Sequence, residues 1–212
     1  MKSNAARVRP DAAAGPRSSK GARTRLRLLE AAKTVFERDG FLNARISDIA
    51  SAAGTSHGSF YHYFESKEQI FREVAAEQEV SLLTSQPLHE SAHDPVERIM
   101  RGNRSYLEAY RAQARIMKVI EEVSRYDPEV QRVRAARQRD FGESLARSIR
   151  RLQDEGLADP GLDPVVAATV LGGMVAKIAE MVFVQHYADI ELDVLVEQVT
   201  RLWASAVLVK TD

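Results

Sequence analysis

The amino-acid sequence predicts an all-α protein. Apolar residues recur at helical spacing along most of the chain, Asp-Pro pairs open one segment after another, and no run sustains the alternation of a strand. The expected architecture is roughly nine helices, with a small basic N-terminal unit and a larger helical body.

Residues 1–22 contain Pro10, Gly15, Pro16 and Gly21 and few large apolar side chains, which reads as an irregular basic arm. Helical periodicity then begins, with Leu26, Leu29, Ala32 and Phe36 on one face. Gly40 is the expected stop, with Phe41 folding back onto the core. A short helix near Ile46 to Ala53 carries Ile46, Ile49 and Ala53 on one stripe and is interrupted by Gly54. A second short helix runs from about Ser56 to Tyr63. Ser66, with Gln69 three residues on, reads as the capping box of a fourth helix.

Asp94-Pro95, Asp127-Pro128 and Asp163-Pro164 mark three further helix starts. Aspartate accepts from free amides, and proline at the first helical position gives up an N–H that has no partner there. Glu97 adds a capping box to the first of them. Gly156 and Gly161 end a long helix over about 128–155. The last helix has the cleanest stripe: Leu192, Leu195, Val196, Val199, Leu202, Trp203 and Ala206. The expected divisions are an arm over 1–22, a helix-turn-helix unit over 23–70 and a helical body over 71–212.

The net charge is zero but unevenly placed: 11 Lys/Arg against 5 Asp/Glu up to residue 64, and 19 against 25 after it. A basic front on an acidic body suits contact with a polyanion, although a solvated tail has the same composition. Cysteine is absent, which excludes a disulfide framework and a thiolate metal site. The apolar run from Val165 to Ala176 stops at Lys177 and reads as too short to span a bilayer. The arm has no apolar core of a secretory signal; its Ala, Arg and Ser content overlaps that of transit peptides, but a disordered arm is the better fit.

Two motifs with chemical overtones fail on context. Gly54-Thr55-Ser56-His57-Gly58 fits G-x-S-x-G, but a nucleophile elbow needs a preceding strand, and here a helix precedes it. His89 and His93 have metal-binding spacing, but they fall in an expected loop with no further ligand nearby. No cofactor motif is present; Gly172-Gly173 reads as a place where two helices pack closely.

The segment ISDIASAAGTSHGSFYHYF, residues 46–64, is two short helices joined by a glycine-containing turn, the helix-turn-helix pattern. Thr55, Ser56, His57 and Ser59 stand at the start of the second helix, where this motif reads base edges in a major groove. Gly58 leaves room for a thymine methyl or a phosphate. Tyr61, His62 and Tyr63 can donate to phosphate oxygens, and Lys67 begins the next helix, whose free amides already favour an anion. Phe60 and Phe64 read as core.

LLEAAKTVFERDGF, ISDIASAAGTSHGSFYHYF and ESKEQIF together resemble the DNA-binding domain of the TetR family of bacterial transcriptional regulators, over about Thr24 to Phe71. The resemblance implies a homodimer on a palindromic operator and an effector pocket in the C-terminal body. It implies that Ser56, His57, Gly58, Ser59 and Tyr61 lie in or near the major groove, with Thr55, His62, Tyr63 and Lys67 on the backbone. The family often has Ser or Thr just before the second helix. Arg45 holds that place here; it cannot cap an N-terminus but can grip a phosphate. In the arm, Arg7, Arg9, Arg17, Lys20, Arg23 and Arg25 either lie along phosphates or enter a minor groove, or merely solubilise.

In the body, Ile99, Asn103, Tyr106 and Tyr110 share a face. Asn103 needs a partner if buried, and a structural one is preferred over a ligand. Met117, Phe141, Met174, Met181 and His186 are the other candidate lining residues of an adaptable apolar pocket; an ordinary helical core is the competing reading of each. The last two helices either pair with their copies in a four-helix bundle or close the subunit's own core. The expected function is a cytoplasmic, ligand-responsive repressor, not an enzyme, taking a small, mostly apolar effector. The rival is a ligand-binding or scaffold protein on the same fold without DNA function.

Overall fold

A computed structural model describes residues 19–84 and 94–209. Arg7, Arg9, Arg17, His89 and His93 lie outside the described residues. Nine helices are described: α1 (Ser19–Asn43), α2 (Ile46–Ala52), α3 (His57–Phe60), α4 (Lys67–Thr84), α5 (Pro95–Ala112), α6 (Ala114–Ser124), α7 (Pro128–Asp154), α8 (Pro164–Phe183) and α9 (Leu192–Val207). Among the described residues, the only β pairing is an isolated antiparallel bridge between Ala158 and Leu208. The chain divides into two compact units, with the boundary inside α4 between Phe71 and Arg72.

In the first unit, α1 starts at Ser19, inside the stretch read as the arm. Its buried face comprises Leu28, Leu29, Ala32, Val35 and Phe36, whereas Leu26, expected on that face, is exposed. Gly40 leaves the helical region at φ 73°, a left-handed conformation that glycine adopts without strain. Phe41 is thereby turned back to stack on Phe36 at 5.9 Å and meet Phe71 edge-on at 4.9 Å. Ile49, Ala50, Phe60, Phe64 and Ile70 complete this aromatic-rich core.

The second unit is a helical body in which α7 packs on α8, α5 on α8 and α9, and α6 on α7. All three Asp-Pro starts form as expected. Asp94 accepts from the Val96 amide at 2.9 Å, Asp127 from Glu129 and Val130 at 2.9 and 3.2 Å, and Asp163 from Val165 and Val166 at 2.8 and 2.9 Å. Glu97 pairs with Arg101 one turn on. Ser66 accepts from the Gln69 amide at 3.1 Å, while the Gln69 side chain reaches the Glu65 amide. Asn103 finds the structural partner expected of it: its amide donates to Thr200 Oγ1 at 3.2 Å, tying α5 to α9.

Gly172 lets α7 and α8 approach, since a Cβ there would stand 3.0 Å from the Phe141 ring; Gly173 faces open space. By length and mean hydropathy (20 residues, 1.7), α8 meets the criterion for a bilayer span that the Lys177 argument set aside. Its other side packs on α5, α7 and α9, and Lys177 pairs with Glu180 at 2.9 Å, which is how a helix of a multi-helix body is built.

Asp127 also receives the Arg72 guanidinium, with Nε at 3.0 Å and Nη2 at 2.9 Å. Burial pushes its carboxyl up, but the Arg72 bond and the two amides outweigh burial and hold it below the usual carboxylate range. A depressed folded value means stability that is present above the ordinary aspartate range and lost as pH falls through the lowered one. Asp127→Ala is expected to cost about 1–2 kcal/mol at neutral pH by loss of the cap. The gap between wild-type and variant urea midpoints should close in acid; a gap of constant size from neutral to acidic pH would disprove the assignment.

Candidate functional site

The turn after α2 is built from small residues and one glycine. Ala53 closes α2, Gly54 takes φ 63°, and the Thr55 amide returns to the Ala50 carbonyl at 2.9 Å. Ser56 caps α3 through its side chain, accepting from the Ser59 amide at 3.1 Å, and its hydroxyl lies 2.9 Å from that of Ser59. The Ser56 hydroxyl is therefore a helix cap next to α2, not a nucleophile after a strand.

The helix expected over about Ser56 to Tyr63 is shorter. α3 spans four residues and tightens into a turn, with the His62 and Tyr63 amides bonding three residues back to Ser59 and Phe60. Phe60 and Phe64 anchor it in the core. Ser56, His57, Gly58, Tyr61 and His62 are thereby left exposed on one turn, with Thr55, Ser59 and Tyr63 half-exposed beside them. A Cβ at Gly58 would meet open space, so the backbone there is accessible to a ligand. The His57 ring meets the Tyr61 ring edge-on at 5.4 Å, and Tyr61 meets Phe60 at 5.5 Å, which orients the exposed phenol from below. Arg45 sits at the N-cap of α2 with extended backbone, exposed and making no capping bond.

Lys67 is the candidate whose role changes. Its ammonium donates to the carbonyls of Phe41, Leu42 and Ala44 at 2.7, 3.3 and 3.0 Å and lies 4.6 Å from the Phe41 ring centre. An ammonium has three N–H groups, and three carbonyls take them. The end of α1 leaves orphan carbonyls, and a cation there is the cheapest partner. The side chain is therefore a clamp on the segment between α1 and α2, not a free phosphate contact. Arg38 is likewise engaged, forming two parallel bonds of 2.7 and 2.6 Å with Asp39, whose carboxyl it holds down.

The second unit contains a cavity of about 390 Å³ between α5, α7, α8 and α9. Its apolar wall includes Ile99, Leu145, Ile149, Val175 and the single tryptophan, Trp203. Asn103, Tyr106 and Phe141 line it as expected, with Tyr106 stacked on Phe141 at 5.8 Å. The others do not. Met117 is packed into the core from α6, Tyr110 lies one turn beyond Tyr106 and is buried, which raises its phenol, and Met174 and Met181 are half-buried away from the cavity. His186, exposed at φ 51° past the end of α8, borders a separate depression with Phe183 and Ile190. Spacing alone missed Arg98, Ser144, Arg147, Ser148 and Arg151, which also line the cavity. A signal was present for the two serines: 141, 144, 145, 148 and 149 share one face of α7.

The family model described as "Bacterial regulatory proteins, tetR family" matches residues 28–74, and that for the C-terminal domain of the transcriptional regulator EthR matches residues 99–208, just over half of the chain. YdgC, an uncharacterized HTH-type transcriptional regulator of Bacillus subtilis, is 50% identical over 56 residues, 26% of this chain and 29% of that protein. The repressor NicS of Pseudomonas putida is 40% identical over 60 residues, 28% of each chain. The match thus spans under a third of these relatives' length. UidR of Escherichia coli K12 is 27% identical over 152 residues, 70% of this chain and 76% of that one.

Among solved structures, a TetR-family regulator from Mesorhizobium loti has a TM-score of 0.75 at 20% identity, covering 91% of this chain and 100% of that one. A regulator from Saccharomonospora viridis in complex with choline has a TM-score of 0.75 at 21% identity, covering 89% and 100%. Such identities speak for the fold. With a helix-turn-helix unit followed along the chain by a helical body, each matched by a family model, the chain belongs to the TetR family of bacterial transcriptional regulators.

Proposed function

We propose that this protein is a ligand-responsive repressor that binds a palindromic operator as a homodimer in the bacterial cytoplasm. The observation that carries the reading is the exposed turn from Ser56 to His62, held on a buried aromatic core by Phe60 and Phe64. Ser56, His57, Gly58, Ser59 and Tyr61 read base edges, and Thr55, His62, Tyr63 and Arg45 grip phosphates. Lys67 positions this surface by clamping the segment before α2. Lys20, Arg23 and Arg25 add positive charge along α1.

Two copies are needed because one short helix reads only a few base pairs. α8 and α9 supply the surface for pairing: Val166, Val170 and Leu202 are 60, 63 and 59% exposed. The effector enters the cavity of the body. It releases DNA to the extent that it prefers a body conformation in which the paired reading helices no longer fit the half-site spacing.

Selection of bound duplexes from a random pool at physiological salt tests the DNA reading, with Tyr61→Ala plus Arg45→Ala as the control. A two-fold symmetric motif that the control fails to enrich is the expected result. Enrichment by neither protein, with or without an effector, would favour a ligand-binding or scaffold role on the same fold.

A further inference from the structure

The cavity's polar groups point to one ligand chemistry. Three arginines line it, Arg98, Arg147 and Arg151, together with Ser144 and Ser148, and no aspartate or glutamate is among the lining residues. Arginine guanidinium is always charged and carries five donors with no acceptor. Arg98 spends Nη2 on Glu155 at 3.2 Å, yet its Nε is buried without a hydrogen-bond partner. Buried donors are rarely left so, and an unmade bond to a charged donor leaves its desolvation uncompensated. Arg147 and Ser148 are exposed on the next turns of α7, at the mouth. Ile99, Ile149, Val175 and Trp203 add apolar surface to the lining.

We infer that the effector is an anionic amphiphile: an apolar body seated against Trp203 and Val175, with a carboxylate or phosphate head held by Arg98 and Arg147. This rests on the reading of the body as the effector-binding part. A guanidinium accepts nothing and forks onto two oxygens, so it selects an oxyanion and repels a quaternary ammonium. The volume, about 390 Å³, lies in the range of roughly 300–1,000 Å³ typical of small-molecule sites. Tyr106, stacked on Phe141, adds a phenol to the lining.

Trp203 is the only tryptophan, and it lines the cavity, so its fluorescence reads occupancy without any DNA present. Three probes with one tail and different heads separate the contributions: decanoate, decanol and decyltrimethylammonium. Decanoate is expected to bind saturably and most tightly, decanol weakly, and the ammonium least. Arg98→Met should weaken decanoate about tenfold or more. Because Arg98 also holds Glu155, Arg147→Glu at the exposed mouth is the second variant; it should weaken decanoate and leave decanol unchanged. Equal binding of all three probes, tightest binding of the ammonium, no saturable signal with any, or indifference of decanoate to both variants would each overturn the inference. A failure of operator binding would not alter this readout. Decanoate that binds but does not release DNA would sink the gating scheme and leave the ligand class standing.

Discussion

Arg137→Met is expected to destabilise the helical body by about 3–5 kcal/mol, because it leaves a buried carboxylate with only the more distant Arg134 as its counter-charge. Glu79 on α4 is 1% exposed and Arg137 on α7 is 6% exposed. Arg137 Nε is in ion-pair contact with Glu79 Oε2, and Arg134 Nε lies 3.5 Å from Oε1, although neither carboxylate oxygen accepts a bond of good geometry. Burial pushes the Glu79 carboxyl up and the two guanidiniums pull it down, with burial the larger effect. The contact and the direction of the shift pull opposite ways on its charge. The ionised form is the better description, since a neutral acid would leave two permanent cations facing each other with nothing between them.

The same physics predicts that the double replacement Glu79→Leu with Arg137→Met is much milder than the single one. A matched apolar pair removes both desolvation costs, and such swaps are often neutral. Urea unfolding of the four proteins of the cycle checks this. A single variant as stable as wild type, or a double variant as damaged as the single, would show that the pair is not the buried charge couple described. Tyr106 belongs to this cluster as well: burial raises its phenol and the Arg137 charge acts against that. The cluster thus joins the α4 side of the body to a residue that borders the cavity.

Val170→Glu combined with Leu202→Glu is expected to turn the proposed dimer into a monomer and to weaken operator binding about a hundredfold or more, the scale at which two linked contacts exceed one. Val166 and Val170 are one turn apart on α8, with the open Gly173 next in line, and Val194 and Leu202 are exposed on α9. An apolar area of this kind on a helix pair is what a second copy covers in a symmetric bundle. Buried glutamates of like charge across the two-fold axis would oppose it. Sedimentation measures the mass, and fluorescence anisotropy on a labelled operator measures the affinity. A variant that remains dimeric, or a wild type that is monomeric at micromolar concentration, would rule out this surface.

The helix starts were the most legible part of the sequence. Asp94, Asp127 and Asp163 cap as read because capping is local: acceptor and amides lie within three residues. Gly40 and Phe41 were legible for the same reason. The turn from Thr55 to Tyr63 was legible because its aromatic and polar residues stand so close together in the chain. Less was legible where the partner is distant. Lys67 looked like a free cation, and only the fold brings it to carbonyls 23 to 26 residues away. Leu192, Leu195, Val196, Val199, Leu202, Trp203 and Ala206 read as one stripe. The structure divides them: Leu195, Val196, Val199 and Trp203 face inward, and Leu202 and Ala206 face outward.

The cavity shows the division most clearly. Asn103, Tyr106 and Phe141 were found by composition and periodicity, but Met117, Met174, Met181 and Tyr110 have the same chemistry and pack elsewhere. A methionine is equally suited to a core and to a pocket wall, so its residue type carries no information on which it joins. The arginines that charge the cavity were passed over because, along the chain, Arg147 and Arg151 resemble any solvated face of α7 and Arg98 is one of several arginines spaced along α5. By itself the sequence determined the all-α class, the capped helix starts and the helix-turn-helix, since each depends on neighbours a few residues apart. The tertiary structure decided the Lys67 clamp, the buried Glu79–Arg137 pair, the makeup of the cavity and the uncovered face of α8 and α9, since those depend on which distant helices come to lie against one another.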